Sequence, residues 1–140
     1  MLGTDAFVFA ARKGHPLMKK TGPMSLDAIR NEDVLLLEEG HCLRSQTLSF
    51  CHGLREHDAG VRATSLTTLA QMVAGGAGVT FLPQLALAQE NPHGKLAWRA
   101  LEAPIPSRTI ALIWRKRSAW TEPMREVAKV LRAAARRLLT

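Results

Sequence analysis

Apolar and polar positions fall in short alternating blocks along this chain. AFVFAARKGHPLM, residues 6–18, begins as an apolar run and closes on Gly14-His15-Pro16, the pattern of a buried strand ended by a turn. Ser25 then stands as the cap of a short helix beginning near Leu26, with Asp27 in its first turn. DVLLLEE, residues 33–39, is aliphatic on both faces and predicts a parallel strand buried on two sides. Cys42 to Phe50 contains neither proline nor glycine and is compatible with a helix. HGLREHDAG is polar and reads as a surface loop, and VRATS reads as a short strand ending at a cap.

Ser65 precedes LTTLAQMVAGGAG, in which Leu66, Leu69 and Val73 share one helical face. Gly75, Gly76 and Gly78 stop that helix. VTFLP is the next strand, followed by a helix or turn over 84–89, a turn at NPHG and a strand at LAWRAL. Pro104 and Pro106 mark a break before RTIALIWRK, a strand with β-branched and aromatic residues. Thr121 is the expected cap of a final helix whose apolar stripe is Met124, Val127, Leu131, Ala134 and Leu138. Arg125, Lys129, Arg132 and Arg136 face away from that stripe. Alternation of strand and helix predicts an α/β domain with a largely parallel sheet. Ligands in such sheets sit where strands end and helices begin, which is where His41-Cys42 and Thr64-Ser65 fall.

Composition narrows the class. With 140 residues, 46% of them hydrophobic and 22% charged, the chain is about one globular domain. It has no apolar run approaching the ~18 residues of a membrane span and does not open with the order of a signal peptide. A cytoplasmic protein with no membrane partner is expected. The net charge of +7 makes nucleic acid one conceivable partner, but no aromatic residues interleave with the cations and no helix-turn-helix pattern appears. A solvated basic face is the preferred reading.

Two motifs fall away on inspection. GGAGVTF follows a helix and precedes a strand, the reverse of the dinucleotide-binding order. His41, Cys42, Cys51 and His52 include zinc-type ligands, but their spacing departs from that of structural zinc sites, and no metal or cofactor is expected. Thr64 and Ser65 could cap a helix or also hold a small polar ligand.

The two cysteines, with eight residues between them, carry the chemistry. Thiolate is the reactive form, favoured at helix N-termini and beside cations, and Cys42 would open a helix with His41 and Arg44 close in sequence. Nine residues of helix advance about 13.5 Å and turn roughly 900°, leaving the two side chains on opposite faces. A disulfide needs Cα atoms within about 7 Å. If the stretch is helical when reduced, a bond between these thiols requires unwinding, and oxidation becomes a conformational switch. Two inert buried thiols remain the plain alternative.

LEEGHCLRSQTLSFC, VRATSLTTLAQMVAGGAGVTFLPQLAL and PSRTIALIWRKRS together resemble the regulatory domain of the OxyR branch of LysR-type transcription regulators, which sense peroxide. GHCLR with a second cysteine eight residues on is the specific element. HPL, the ATSLTTL cap and GxGVTFLP are shared more widely among LysR-type regulators. The resemblance implies a periplasmic-binding-protein-like α/β fold of two subdomains, with the second at 5–107 and the returning strand and helix of the first at 108–140. It implies that peroxide oxidises Cys42 to a sulfenic acid, that Cys51 resolves it as a disulfide, and that glutaredoxin or thioredoxin resets the pair. Arg108 matches a family arginine near the peroxidatic sulfur, joining His41 and Arg44 as thiolate stabilisers, with Gly40, Thr64 and Ser65 as pocket residues. The expected protein is a regulator rather than an enzyme, dimeric or tetrameric in its full-length form. It would bind DNA only through a helix-turn-helix domain that this sequence does not contain. The linker helix and first half of the first subdomain also have no counterpart, so a fragment is expected. The competing readings are a LysR-type domain sensing an organic ligand at Thr64-Ser65 and a thiol peroxidase.

Overall fold

The structure is a computed structural model and describes residues 1–51, 53 and 62–139. The polar loop anticipated at 52–60, His52 within it, and Val61 of the short strand lie outside the described residues apart from Gly53.

β1 (Gly3–Arg12) is the organising strand. Its Phe7-to-Ala11 segment is fully buried, so no face of it is available to water. The first part of β1 pairs antiparallel with β4 (Ser107–Ile110), in the register Gly3 with Ile110 and Ala6 with Ser107. The rest pairs antiparallel with β2 (Thr80–Pro83) on one side and β3 (Leu96–Ala100) on the other. The sheet order is β2-β1-β3, with β4 joined to the far end of β1.

This differs from the expected parallel sheet. Every ladder among the described residues is antiparallel, and parallel pairing is confined to the single bridges Met24–Leu101, Val34–Val79 and Leu37–Ala63. Alternation of strand and helix correctly makes β2 and β3 run the same way. It does not reveal that β1 lies between them and runs opposite. The 33–37 segment is buried as expected, held beside Val79 by Leu35 N–H donating to the Val79 carbonyl at 2.8 Å. Thr80 Oγ1 also donates to the Leu35 carbonyl at 2.8 Å. Gly78 is required there, because a Cβ would lie 2.6 Å from the Asp33 carbonyl oxygen.

Two nine-residue helices, α1 (Cys42–Phe50) and α2 (Leu66–Ala74), follow this segment. α2 packs through Leu69, Ala70 and Val73. α3 (Leu87–Glu90) is a single turn after the 3-10 turn Gln84–Ala86. Phe50, the last residue of α1, docks on Phe7 and Phe81 with ring centroids 5.1 Å and 5.4 Å apart.

α4 (Thr121–Leu138) departs from expectation in two ways. Thr121 is its first helical residue rather than its cap, and its hydroxyl donates to the Ser118 carbonyl at 2.7 Å. The buried positions are Ala128 and Ala135, while Val127, Leu131 and Leu138 of the anticipated stripe are exposed. Leu139, the residue after α4, lies close on β1, where a Cβ at Gly3 would lie 2.9 Å from it. The strand anticipated across RTIALIWRK ends at Ile110.

Candidate functional site

The Leu37–Ala63 bridge sets two helix entrances side by side. Glu38 N–H donates to the Ala63 carbonyl at 3.0 Å, and Arg62 reaches Glu39 Oε1 at 3.3 Å. From these neighbouring segments Gly40-His41 leads into α1 and Thr64-Ser65 into α2. Gly40 makes the first entrance with φ of +93°, a left-handed conformation that favours glycine.

The entrances differ in chemistry. Ser65 Oγ accepts from Thr68 N–H at 3.1 Å and lies 2.9 Å from Thr68 Oγ1, so it is engaged as a cap. Thr64 is exposed beside it. His41 occupies the cap position of α1 in extended conformation but makes no side-chain cap bond, and its Nε2 lies 4.0 Å from Glu38 Oε1. Cys42 is therefore the first residue of a helix with no side-chain cap and no acid in its first turn, and its thiol is exposed. The positive end of the α1 dipole lies there. Arg44 Nη1 donates to the Leu37 carbonyl at 3.1 Å, tying the first turn of α1 back to the buried segment.

Cys51 follows the last residue of α1 and is 8% exposed. Its N–H donates to the Thr47 carbonyl at 3.1 Å. Burial pushes its thiol up to about 12. Both cysteines are free thiols, at opposite ends of an intact helix. A nine-residue helix separates its ends by about 13.5 Å, well beyond disulfide reach.

Arg108 stands on β4 and is held by Asp5, with Nε and Nη2 at 3.0 Å and 2.9 Å from Asp5 Oδ2. Asp5 is 2% exposed, and its Oδ1 accepts from Leu85 N–H at 2.9 Å. This carboxylate joins β1, β4 and the turn after β2. Its only sequence signal is an acid at the head of an apolar run, and nothing local connects it to an arginine in another part of the chain.

Residues 1–136 match the family described as the LysR substrate binding domain. A probable hydrogen peroxide-inducible genes activator of Mycobacterium leprae is 42% identical over 129 residues, which is 91% of this chain and 41% of that protein. The DNA-binding transcriptional dual regulator OxyR of Escherichia coli is 35% identical over 130 residues, covering 92% of this chain and 42% of its own length. A cysteine mutant of Corynebacterium glutamicum OxyR with hydrogen peroxide bound superposes with a TM-score of 0.82 at 30% identity, over 99% of this chain and 44% of that one. A crystal structure of the reduced form of OxyR gives 0.78 at 33% identity, over 94% of this chain and 61% of that one. The chain thus spans about two fifths of the length of the curated relatives it matches. With its α/β architecture and OxyR regulatory domains as structural neighbours, this chain belongs to the LysR substrate-binding domain family and has its periplasmic-binding-protein-like fold.

Proposed function

We propose that this chain is the peroxide-sensing part of an OxyR-like transcription activator and switches through a Cys42–Cys51 disulfide. The observation that carries the reading is the placement of an exposed thiol and a buried thiol at the two ends of one helix. Cys42 reacts first because it is open to solvent at the positive end of α1, where His41 and Arg44 are its near neighbours in the chain. Its sulfur attacks one peroxide oxygen, the O–O bond breaks, and the products are a sulfenic acid and one water. Cys51 keeps its proton at neutral pH and is shielded from peroxide, so it acts second. Its sulfur displaces the sulfenic hydroxyl, forming the S–S bond and a second water. α1 must unwind for that step, because its intact ends are too far apart.

Gly40, Thr64 and Ser65 form the rim of the two helix entrances, where a small polar oxidant would approach Cys42. Arg108 is assigned to the thiolate in this reading by its match to the family arginine, while the Asp5 pair fixes its side chain against β1. The change of ladder partners within β1, between Ala6 and Phe7, supports a division near there into the 5–107 subdomain and the 108–140 return. Glutaredoxin or thioredoxin would restore the dithiol. A full-length dimer or tetramer would carry the change to DNA through a separate domain. The chain acts once per oxidation as a sensor, not as a turnover catalyst.

The test is thiol mapping by mass spectrometry after about one equivalent of hydrogen peroxide. Wild type is expected to form the Cys42–Cys51 bond within seconds, Cys51→Ser to accumulate sulfenic acid on Cys42, and Cys42→Ser to leave Cys51 as a thiol. Unreacted thiols in the folded wild-type chain would sink the reading.

A further inference from the structure

α1 is weakly held. Isolated helices below about 12 to 15 residues are marginal in water, and α1 has nine. It has no side-chain cap, no acid in its first turn and no base in its last. Its tertiary anchors are few: Leu43 and Thr47 are buried, Phe50 docks on Phe7 and Phe81, and Arg44 holds the Leu37 carbonyl, while Thr47 Oγ1 donates to the Leu43 carbonyl at 3.0 Å within the helix. Leu43 and Thr47 line a small void of about 10 Å3 with Leu36, Leu69 and Phe81.

Gln46 adds a specific penalty. It stands one turn beyond Cys42, and its Oε1 is a buried side-chain oxygen with no hydrogen-bond partner, alone in that respect among the described residues. An acceptor stripped of water and left unpaired forfeits its solvation. When α1 unwinds, the oxygen can regain water.

We propose that Gln46 sets the redox poise of the Cys42–Cys51 pair: its buried, unpaired oxygen raises the free energy of the helical dithiol and leaves that of the unwound disulfide unchanged. This rests on the disulfide reading above and names the residue that tunes it. Gln46 touches neither sulfur in this role. It is a positioning residue that acts through the helix.

The test equilibrates the chain and Gln46→Met with oxidised and reduced glutathione. Two thiols pass two electrons and two protons to one glutathione disulfide, giving one S–S bond and two glutathiones. Methionine keeps the length and helix propensity of glutamine and removes the acceptor. Gln46→Met is expected to lower the disulfide-to-dithiol constant about tenfold and to slow amide exchange across reduced α1 by about the same factor. Gln46→Glu keeps the shape, places a charged acceptor at the same site and is expected to move both readouts the other way. Unchanged α1 exchange in Gln46→Met, or slower exchange with an unchanged constant, overturns the proposal. If the wild-type chain forms no Cys42–Cys51 bond in any buffer, the redox reading fails first and this proposal goes with it.

Discussion

α1 and α2 have the same length, enter from neighbouring segments and lean on the same core, yet they are built to opposite ends. α2 has a serine cap with two hydrogen-bonding contacts, three buried side chains and a glycine stop. α1 has an uncapped entrance, two buried side chains, an unpaired buried oxygen and a thiol at each end, and is held mainly by the Phe50 dock and the Arg44 bond to Leu37. Local stability is not uniform in folded proteins, and elements that move come from the weakly held end of the range. Under the proposed disulfide reading, the contrast makes α2 the scaffold and α1 the switch.

The largest break in that contrast is in α2. Leu69 is 2% exposed and also walls the cavity beneath α1. Leu69→Ala is expected to cost about 2–5 kcal/mol of global stability, read by urea unfolding of the reduced protein.

A titration at the end of α1 sharpens the contrast. Folded Cys51 keeps its proton until about 12, against an ordinary value of 9.0. Between those values the unfolded chain binds fewer protons, so this contribution is complete below about 9 and is lost as pH rises toward 12. Reduced wild type should lose up to about 1.4 kcal/mol per pH unit across that window relative to Cys51→Ala. Parallel unfolding curves at rising pH would show whether the loss belongs to this thiol. The glycines that end α2 offer nothing comparable to titrate.

Ser65→Ala removes the cap that α1 lacks. About 1 kcal/mol is expected, seen as faster amide exchange confined to the first turns of α2. If the variant exchanges like wild type, the cap does not distinguish the two helices.

Much of this contrast was legible in the sequence. Leu69 and Val73 marked the buried face of α2, with Leu66 at its partly buried edge and Ala70 passed over, Ser65 marked its cap, and the lack of proline or glycine from Cys42 to Phe50 allowed α1. The aromatic dock of Phe50 was not legible, because Phe7 and Phe81 reach it from distant strands. The same distance hid Asp5, whose partners Arg108 and Leu85 meet it only when β1 takes the middle of the sheet. In α4 the anticipated stripe ran one position out of phase, through exposed Val127 and Ala134 instead of buried Ala128 and Ala135, because spacing alone does not say which side of a helix meets the core. The unpaired oxygen of Gln46 depends on what surrounds a polar side chain, and composition does not carry that.

Amide hydrogen exchange of the wild-type chain before and after one equivalent of hydrogen peroxide tests the central claim most directly. Protection across 42–50 should vanish as the Cys42–Cys51 bond forms, while protection across 66–74 stays. A disulfide formed with α1 still protected, or both helices opening together, would contradict the division between switch and scaffold.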